Sequence, residues 1–115
     1  MPPARLKPHW YYILLALAQG DRHGLAIARD VLEQSDGNIR LWPAMLYGSL
    51  EDLVERGWIE ALDDARRRPA DESERKRFYR LTRAGRTAVA AETERLASLV
   101  HVARARIKSR AGETS

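Results

Sequence analysis

A chain of 115 residues with 44% hydrophobic and 31% charged side chains is the size of one folded domain with a modest core. It has no cysteine, which excludes disulfides, thiolate metal sites and thiol redox chemistry, and no run of about 18 apolar residues able to span a membrane. The 20 lysines and arginines outnumber the 16 aspartates and glutamates, a balance that admits nucleic acid as a partner.

Residues 1–8 carry three prolines with Arg5 and Lys7, and read as an extended basic arm. This start lacks the apolar centre of a signal peptide, so the chain is expected in the cytoplasm. A first helix is predicted from about His9 to Gln19, because Trp10, Ile13, Leu14 and Leu17 recur at helical spacing before Gly20 and Asp21. A second is predicted from His23 to Ser35, with Leu25, Ile27, Ala28, Val31 and Leu32 as its buried stripe. Asp36-Gly37-Asn38 signals a turn, and Ile39-Arg40-Leu41 suits a very short strand. Pro43 opens a third helix that should bury Leu46, Leu50, Leu53 and Val54 and close at Gly57.

Two strands follow, Trp58 to Leu62 and Arg77 to Leu81, separated by a polar stretch from Asp63 to Lys76 that has nothing to bury. Thr82 is a suitable N-cap for a last helix over Arg83 to about Arg110, with residues 111–115 as a disordered tail. The expected architecture is mainly α with a small β-hairpin wing. A winged helix-turn-helix occupies residues 9–82, and a long carboxy-terminal dimerisation helix occupies 83–110.

That last helix repeats Val89, Thr93, Leu96, Val100, Ala103 and Ile107 at alternating spacings of four and three, a heptad seam interrupted by Thr93 and Ala103. A helix of this length overhangs a three-helix core, so the seam predicts a homodimer over Trp10, Ile13, Val89, Leu96, Leu99, Val100, Ala103 and Ile107. Folding of the helix back onto the first helix of its own chain is the alternative.

The helix-turn-helix carries the functional expectation. Its second helix enters the major groove, which places Ala44, Met45, Gly48, Ser49 and Asp52 on the open side. Ala44 and Gly48 allow close approach, Ala44 and Met45 can touch a thymine methyl, and Ser49 can bond to a base or phosphate. Asp52 should mark the edge of the footprint. Tyr47 is a candidate phosphate contact or a boundary aromatic packed on the second helix. Arg40, with Arg66, Arg67, Arg68, Arg75, Lys76 and Arg77 on the wing, are candidate backbone contacts, interrupted by the acidic Asp71, Glu72 and Glu74. The open side of the third helix offers no arginine, lysine, asparagine or glutamine, so base readout should be thin and shape readout by wing arginines correspondingly important.

Catalysis is not indicated. His9, His23 and His101 lie on three separate predicted helices, Asp63-Asp64 lacks a metal-binding context, and neither a phosphate loop nor a nucleophile elbow is present. No metal and no cofactor are expected. A winged helix used only as a protein-interaction adaptor, with Trp42, Met45 and the wing as its adhesive surface, is the competing function. Trp10, Tyr11 and Tyr12 with Leu96, Leu99 and Val100 are candidates for a pocket for a small aromatic effector, although ordinary core and interface packing explains them more simply.

The strongest sequence pieces are Leu14-Leu15-Ala16-Leu17-Ala18, His23-Gly24, Leu46-Tyr47-Gly48-Ser49-Leu50 with Leu53, Gly57 and Ile59, and Tyr79-Arg80-Leu81-Thr82 with Gly85. In this order they resemble the PadR-like family of winged-helix transcriptional regulators, in its short subgroup, over roughly Tyr11 to Arg110. The resemblance implies a homodimeric repressor on a pseudo-palindromic double-stranded operator, dimerising through its first and last helices. It also implies, for some relatives, release from DNA by phenolic acids or bulky aromatic drugs. The chain departs from the family pattern at Leu25, where tyrosine is frequent, and at Trp42-Pro43-Ala44-Met45, where hydroxyl residues are frequent.

Overall fold

The computed structural model describes residues 6–62 and 77–114. Among them, four helices and a small antiparallel sheet follow one another as α1 (Pro8–Ala18), β1 (Arg22–His23), α2 (Gly24–Gln34), α3 (Pro43–Glu55), β2 (Ile59–Leu62), β3 (Phe78–Leu81) and α4 (Arg83–Thr114). The mainly α architecture with a β-hairpin is the one expected. The helices begin and end within about two residues of their predicted limits, except that α4 continues to Thr114.

Local chemistry explains the boundaries. Proline occupies the first turns of α1 and α3, where its missing N–H costs no hydrogen bond. The His23 ring caps α2 by accepting from the Ala26 amide at 3.3 Å. Gly57, at φ 78°, turns the chain out of α3, and the amides of Gly57 and Trp58 close on the carbonyls of Val54 and Leu53. Thr82 caps α4 as predicted: its Oγ1 accepts from the Gly85 amide at 3.0 Å and donates to the Gly57 carbonyl at 2.6 Å. One hydroxyl thereby joins the end of α3 to the start of α4.

The sheet order is β1-β3-β2, all antiparallel, with Ile59 opposite Leu81 and Arg22 opposite Tyr79. Ile59, Tyr79 and Leu81 turn inward. The third strand is therefore Arg22–His23, and the expected strand at Ile39-Arg40-Leu41 does not form. The buried Ser35 hydroxyl takes the Ile39 amide at 2.9 Å, and Leu41 enters the core from a connecting segment.

The core joins Ile13, Leu14 and Leu17 of α1, Ile27 and Val31 of α2, Leu46, Leu50 and Leu53 of α3, the inner face of the sheet, and Val89 of α4. Leu25 and Val54, expected inside, are exposed. Each lies at the margin of its helix's apolar stripe, where the packing of the neighbouring helices decides coverage. Trp10, Ile13 and Val89, expected at a dimer interface, are buried within this core. The start of α4 does fold onto α1 of the same chain, and the Tyr11 hydroxyl meets Thr93 Oγ1 at 2.8 Å. Beyond Leu96 the helix leaves the core: Leu99, Val100 and Val102 are exposed, and Ile107 is 70% exposed. Among the described residues no helix is long and apolar enough to cross a membrane.

Candidate nucleic-acid interface

Helices α2 and α3, joined by residues 35–42, form the helix-turn-helix, and β2 and β3 form the base of the wing beside it. The outward side of α3 is set by its own periodicity. Leu46, Ser49, Leu50 and Leu53 point inward, leaving Ala44, Met45, Gly48 and Asp52 at spacings of one, three and four on the solvent side. A Cβ on Gly48 would meet nothing within 4 Å, so that stretch of the helix is open to close approach. Trp42, at the N-cap, is 64% exposed and its side chain caps no amide. The Arg40 guanidinium lies 5.2 Å from the centre of the Trp42 ring, a cation–π arrangement.

Two expected contacts lie elsewhere. Ser49 is 5% exposed, and its Oγ meets His9 Nε2 at 3.1 Å, beneath the start of α1. Its hydroxyl faces the interior because it falls in register with Leu46 and Leu53, a position that a lone helix leaves solvated and α1 covers. Tyr47 packs on α2, as the second of its two readings had it. Its hydroxyl is buried without a hydrogen-bond partner among the described residues, 3.0 Å from where a Cβ on Gly24 would sit. The Gly24–Tyr47 approach lets α2 and α3 meet closely.

On the wing, Arg66, Arg67, Arg68, Arg75 and Lys76 lie outside the described residues. Arg77 enters β3 half-buried. Arg80, further along the strand, is occupied by Asp21 at 3.3 Å and Glu60 at 3.5 Å. The amino-terminal side of the domain carries its own basic group. Lys7 and Arg56 lie 4.9 Å and 4.8 Å from the Trp10 ring centre, and Arg56 also reaches Trp58 at 5.7 Å. Sequence reasoning gave Arg56 and Trp58 no role in this cluster; its one signal is the run Arg56-Gly57-Trp58 immediately after α3. The half-buried His9 ring has its pKa pushed below the ordinary histidine value, first by desolvation and then by Lys7.

A cavity of about 400 Å³ lies between the start of α1 and α4, lined by Leu6, Pro8, Tyr11, Tyr12 and Leu96, with the ion pair of Glu92 and Arg95 at 2.6 Å also on its wall. Of the candidate effector-pocket residues, Tyr11, Tyr12 and Leu96 line this cavity. Trp10 does not line this cavity, because its ring packs edge-on to Trp58 in the core, and neither do Leu99 and Val100, which lie further along α4. Among the described residues no cluster of three metal-ligating side chains occurs.

A helix-turn-helix whose second helix presents one open face, followed by a β-hairpin and a helix locked to it by Thr82, is a winged helix-turn-helix protein. The chain belongs to the transcriptional regulator PadR-like family, whose model matches residues 13–91. The family is one of transcriptional regulators. The RosR structure of H. salinarum is similar at 30% identity and a TM-score of 0.63, covering 81% of this chain and 76% of that one. A complex structure, hsRosR-S1, is similar at 27% identity and a TM-score of 0.64, over 94% and 90% of the two chains. A transcriptional regulator from Clostridium thermocellum shares the fold at 22% identity and a TM-score of 0.64, over 82% and 84%. A 37.1 kDa protein of a transposon from Streptomyces fradiae is 38% identical over 87 residues, which are 76% of this chain but 22% of that relative's length.

Proposed function

We propose that this chain is a repressor that binds a pseudo-palindromic operator as a homodimer in the cytoplasm. The winged helix-turn-helix over residues 9–82 reads the duplex, the basic arm of residues 1–8 and the wing grip the backbone, and the helix from residue 83 holds two copies together. The observation that carries the reading is the open face of α3, uncovered by the other described elements and set beside a hairpin whose connection bears Arg66, Arg67, Arg68, Arg75 and Lys76. Arg40, Ala44, Met45 and Gly48 complete the contact surface, and Arg77 stands where the wing returns.

Dimerisation is supported by the exposed stripe of Leu99, Val100, Ala103 and Ile107 on α4. Isolated in water, such a stripe leaves several apolar side chains unburied, and pairing with a second copy removes them from solvent. Leu96, half-buried, begins the same stripe. A small aromatic effector fits the α1–α4 cavity, where Tyr11 and Tyr12 offer ring faces and the Glu92–Arg95 pair offers polar anchors. Filling that cavity would act on the junction between α1 and α4, from which the dimer geometry follows.

Selection of genomic fragments with the purified protein tests the reading directly. Two half-sites about one helical turn apart, near 10 bp, are expected. Binding should weaken steeply with salt, whereas duplex-independent capture of a protein partner with a flat salt response would support the adaptor instead.

A further inference from the structure

The chemistry available on α3 is narrow. Its sequence, Pro43-Ala44-Met45-Leu46-Tyr47-Gly48-Ser49-Leu50-Glu51-Asp52-Leu53-Val54-Glu55, has no arginine, lysine, asparagine or glutamine. The side chains that make bidentate bonds to guanine or adenine are thus missing from the element that enters the groove. Burial of Ser49 against His9 and of the Tyr47 hydroxyl against α2 removes the two remaining hydroxyls. What the beginning of the helix presents is apolar: Trp42 and Met45, 64% and 48% exposed, beside the small Ala44 and Gly48. Glu51, Asp52 and Glu55 follow along the helix, all exposed, and bear charge of the same sign as phosphate.

One feature of the major groove matches an apolar, donor-free surface, the 5-methyl group of thymine. We propose that Trp42, Ala44 and Met45 select the operator by packing on thymine methyls, with Gly48 allowing α3 to lie close enough for the contact. The inference rests on the DNA-binding reading above. The patch is directed to a duplex rather than to a protein surface by its setting. It opens the second helix of a helix-turn-helix, and Arg40, stacked on Trp42, has no carboxylate partner among the described residues with which to neutralise its charge. Arg40 is thus free to take a phosphate while holding the indole against the groove edge. The acidic residues further along α3 confine the contact to the start of the helix, and from there a carboxylate can accept only from the exocyclic amines of cytosine or adenine.

The test replaces thymine by deoxyuridine within each half-site of the selected operator, which removes the methyl group and leaves every hydrogen-bonding atom in place. The wild-type protein is expected to bind about fourfold more weakly for each contacted methyl, the factor for losing burial of one carbon. The Trp42→Ala and Met45→Ala variants, altered at exposed positions, should bind the thymine operator more weakly and lose part of the preference for thymine over uracil. Salt-sensitive binding that is indifferent to uracil at every position overturns the methyl reading and leaves the regulator reading standing. Absence of binding to any duplex in dilute buffer overturns the regulator reading first. Capture of a protein through Trp42 and Met45, with uracil-insensitive DNA binding, assigns the patch to a protein partner and also overturns the proposal.

Discussion

His9 on the first turn of α1 and Ser49 in the middle of α3 are 40 residues apart in the chain, and their side chains meet at 3.1 Å. This contact places the start of α1 over the back of the reading helix. It turns a residue expected at the DNA surface into an interior one.

The His9 pKa is held below its ordinary value of 6.5, by desolvation and then by Lys7. Above about pH 6.5 the ring is neutral in both folded and unfolded chains, and its contribution to stability is complete. As pH falls through that value the unfolded chain gains a proton that the folded chain resists, so stability is lost until the lower folded pKa is passed. The urea midpoint is expected to fall between about pH 7 and pH 5, and to fall less in His9→Gln. Equal slopes in the two proteins would remove His9 from the account.

Packing of Gly24 on Tyr47 supports a second prediction. A Cβ at residue 24 would lie 3.0 Å from the Tyr47 hydroxyl and 3.1 Å from its ring, so Gly24→Ala should cost about 1–2 kcal/mol through overpacking. Tyr47→Phe removes a buried hydroxyl that has no partner among the described residues, and should be neutral or stabilising by about 1 kcal/mol, recovering part of the Gly24→Ala loss in the double variant. Its DNA affinity should match the wild type. A tenfold fall in affinity with an unchanged denaturation midpoint would return Tyr47 to the phosphate contacts.

At Gly85 the obstacle is backbone. A Cβ there would collide with the Trp58 carbonyl, which accepts the Thr82 amide at 3.0 Å. Gly85→Ala must displace either the end of α3 or the start of α4, and is expected to cost about 3 kcal/mol in chemical denaturation. A wild-type midpoint would mean that the two elements slide apart freely.

Val100→Glu tests the pairing of α4. Val100 is exposed in the single chain, so the change should leave the monomer's stability within about 0.5 kcal/mol. Two carboxylates facing one apolar seam should raise the dimer dissociation constant by at least about a hundredfold in sedimentation equilibrium. An unchanged dissociation constant would move the interface away from this stripe.

Salt dependence measures the wing. With about four phosphates neutralised per subunit, the dimer should show a slope of log K against log salt near −7. Replacing Arg66, Arg67 and Arg68 with alanine should weaken binding to all sequences and flatten the slope by roughly one for each phosphate that is no longer neutralised. A slope that stays at its wild-type value would assign the grip to the arm and Arg40.

Much of the fold was legible in the order of residues. Proline before an apolar stripe, glycine after it and threonine before the last helix are local signals. They placed all four helices and both strands of the hairpin, since caps and turns depend on neighbours a few residues away. The strand Arg22–His23 is not legible in the sequence because two residues have no readable alternation; pairing with β3 alone makes them a strand. The candidate site was half legible. Ala44, Met45 and Gly48 are where the helical period puts them, and Arg40 lies exposed in the connection before α3, whereas Ser49 and the Tyr47 hydroxyl are not at the surface.

What the sequence determined by itself is the winged helix-turn-helix plan, the start of the last helix and the poverty of hydrogen-bond donors on the reading face; the helix continues to Thr114, through residues read as a disordered tail. Tertiary structure alone decided that Trp10, Ile13 and Val89 close the core of one chain, that Ser49 lies under His9, and that the apolar stripe is uncovered only beyond Leu96. Periodicity states which side chains share a face of a helix. Which neighbour covers that face is set by how α1 lies against α3 and α4, contacts between residues tens of positions apart whose relative placement no local pattern encodes.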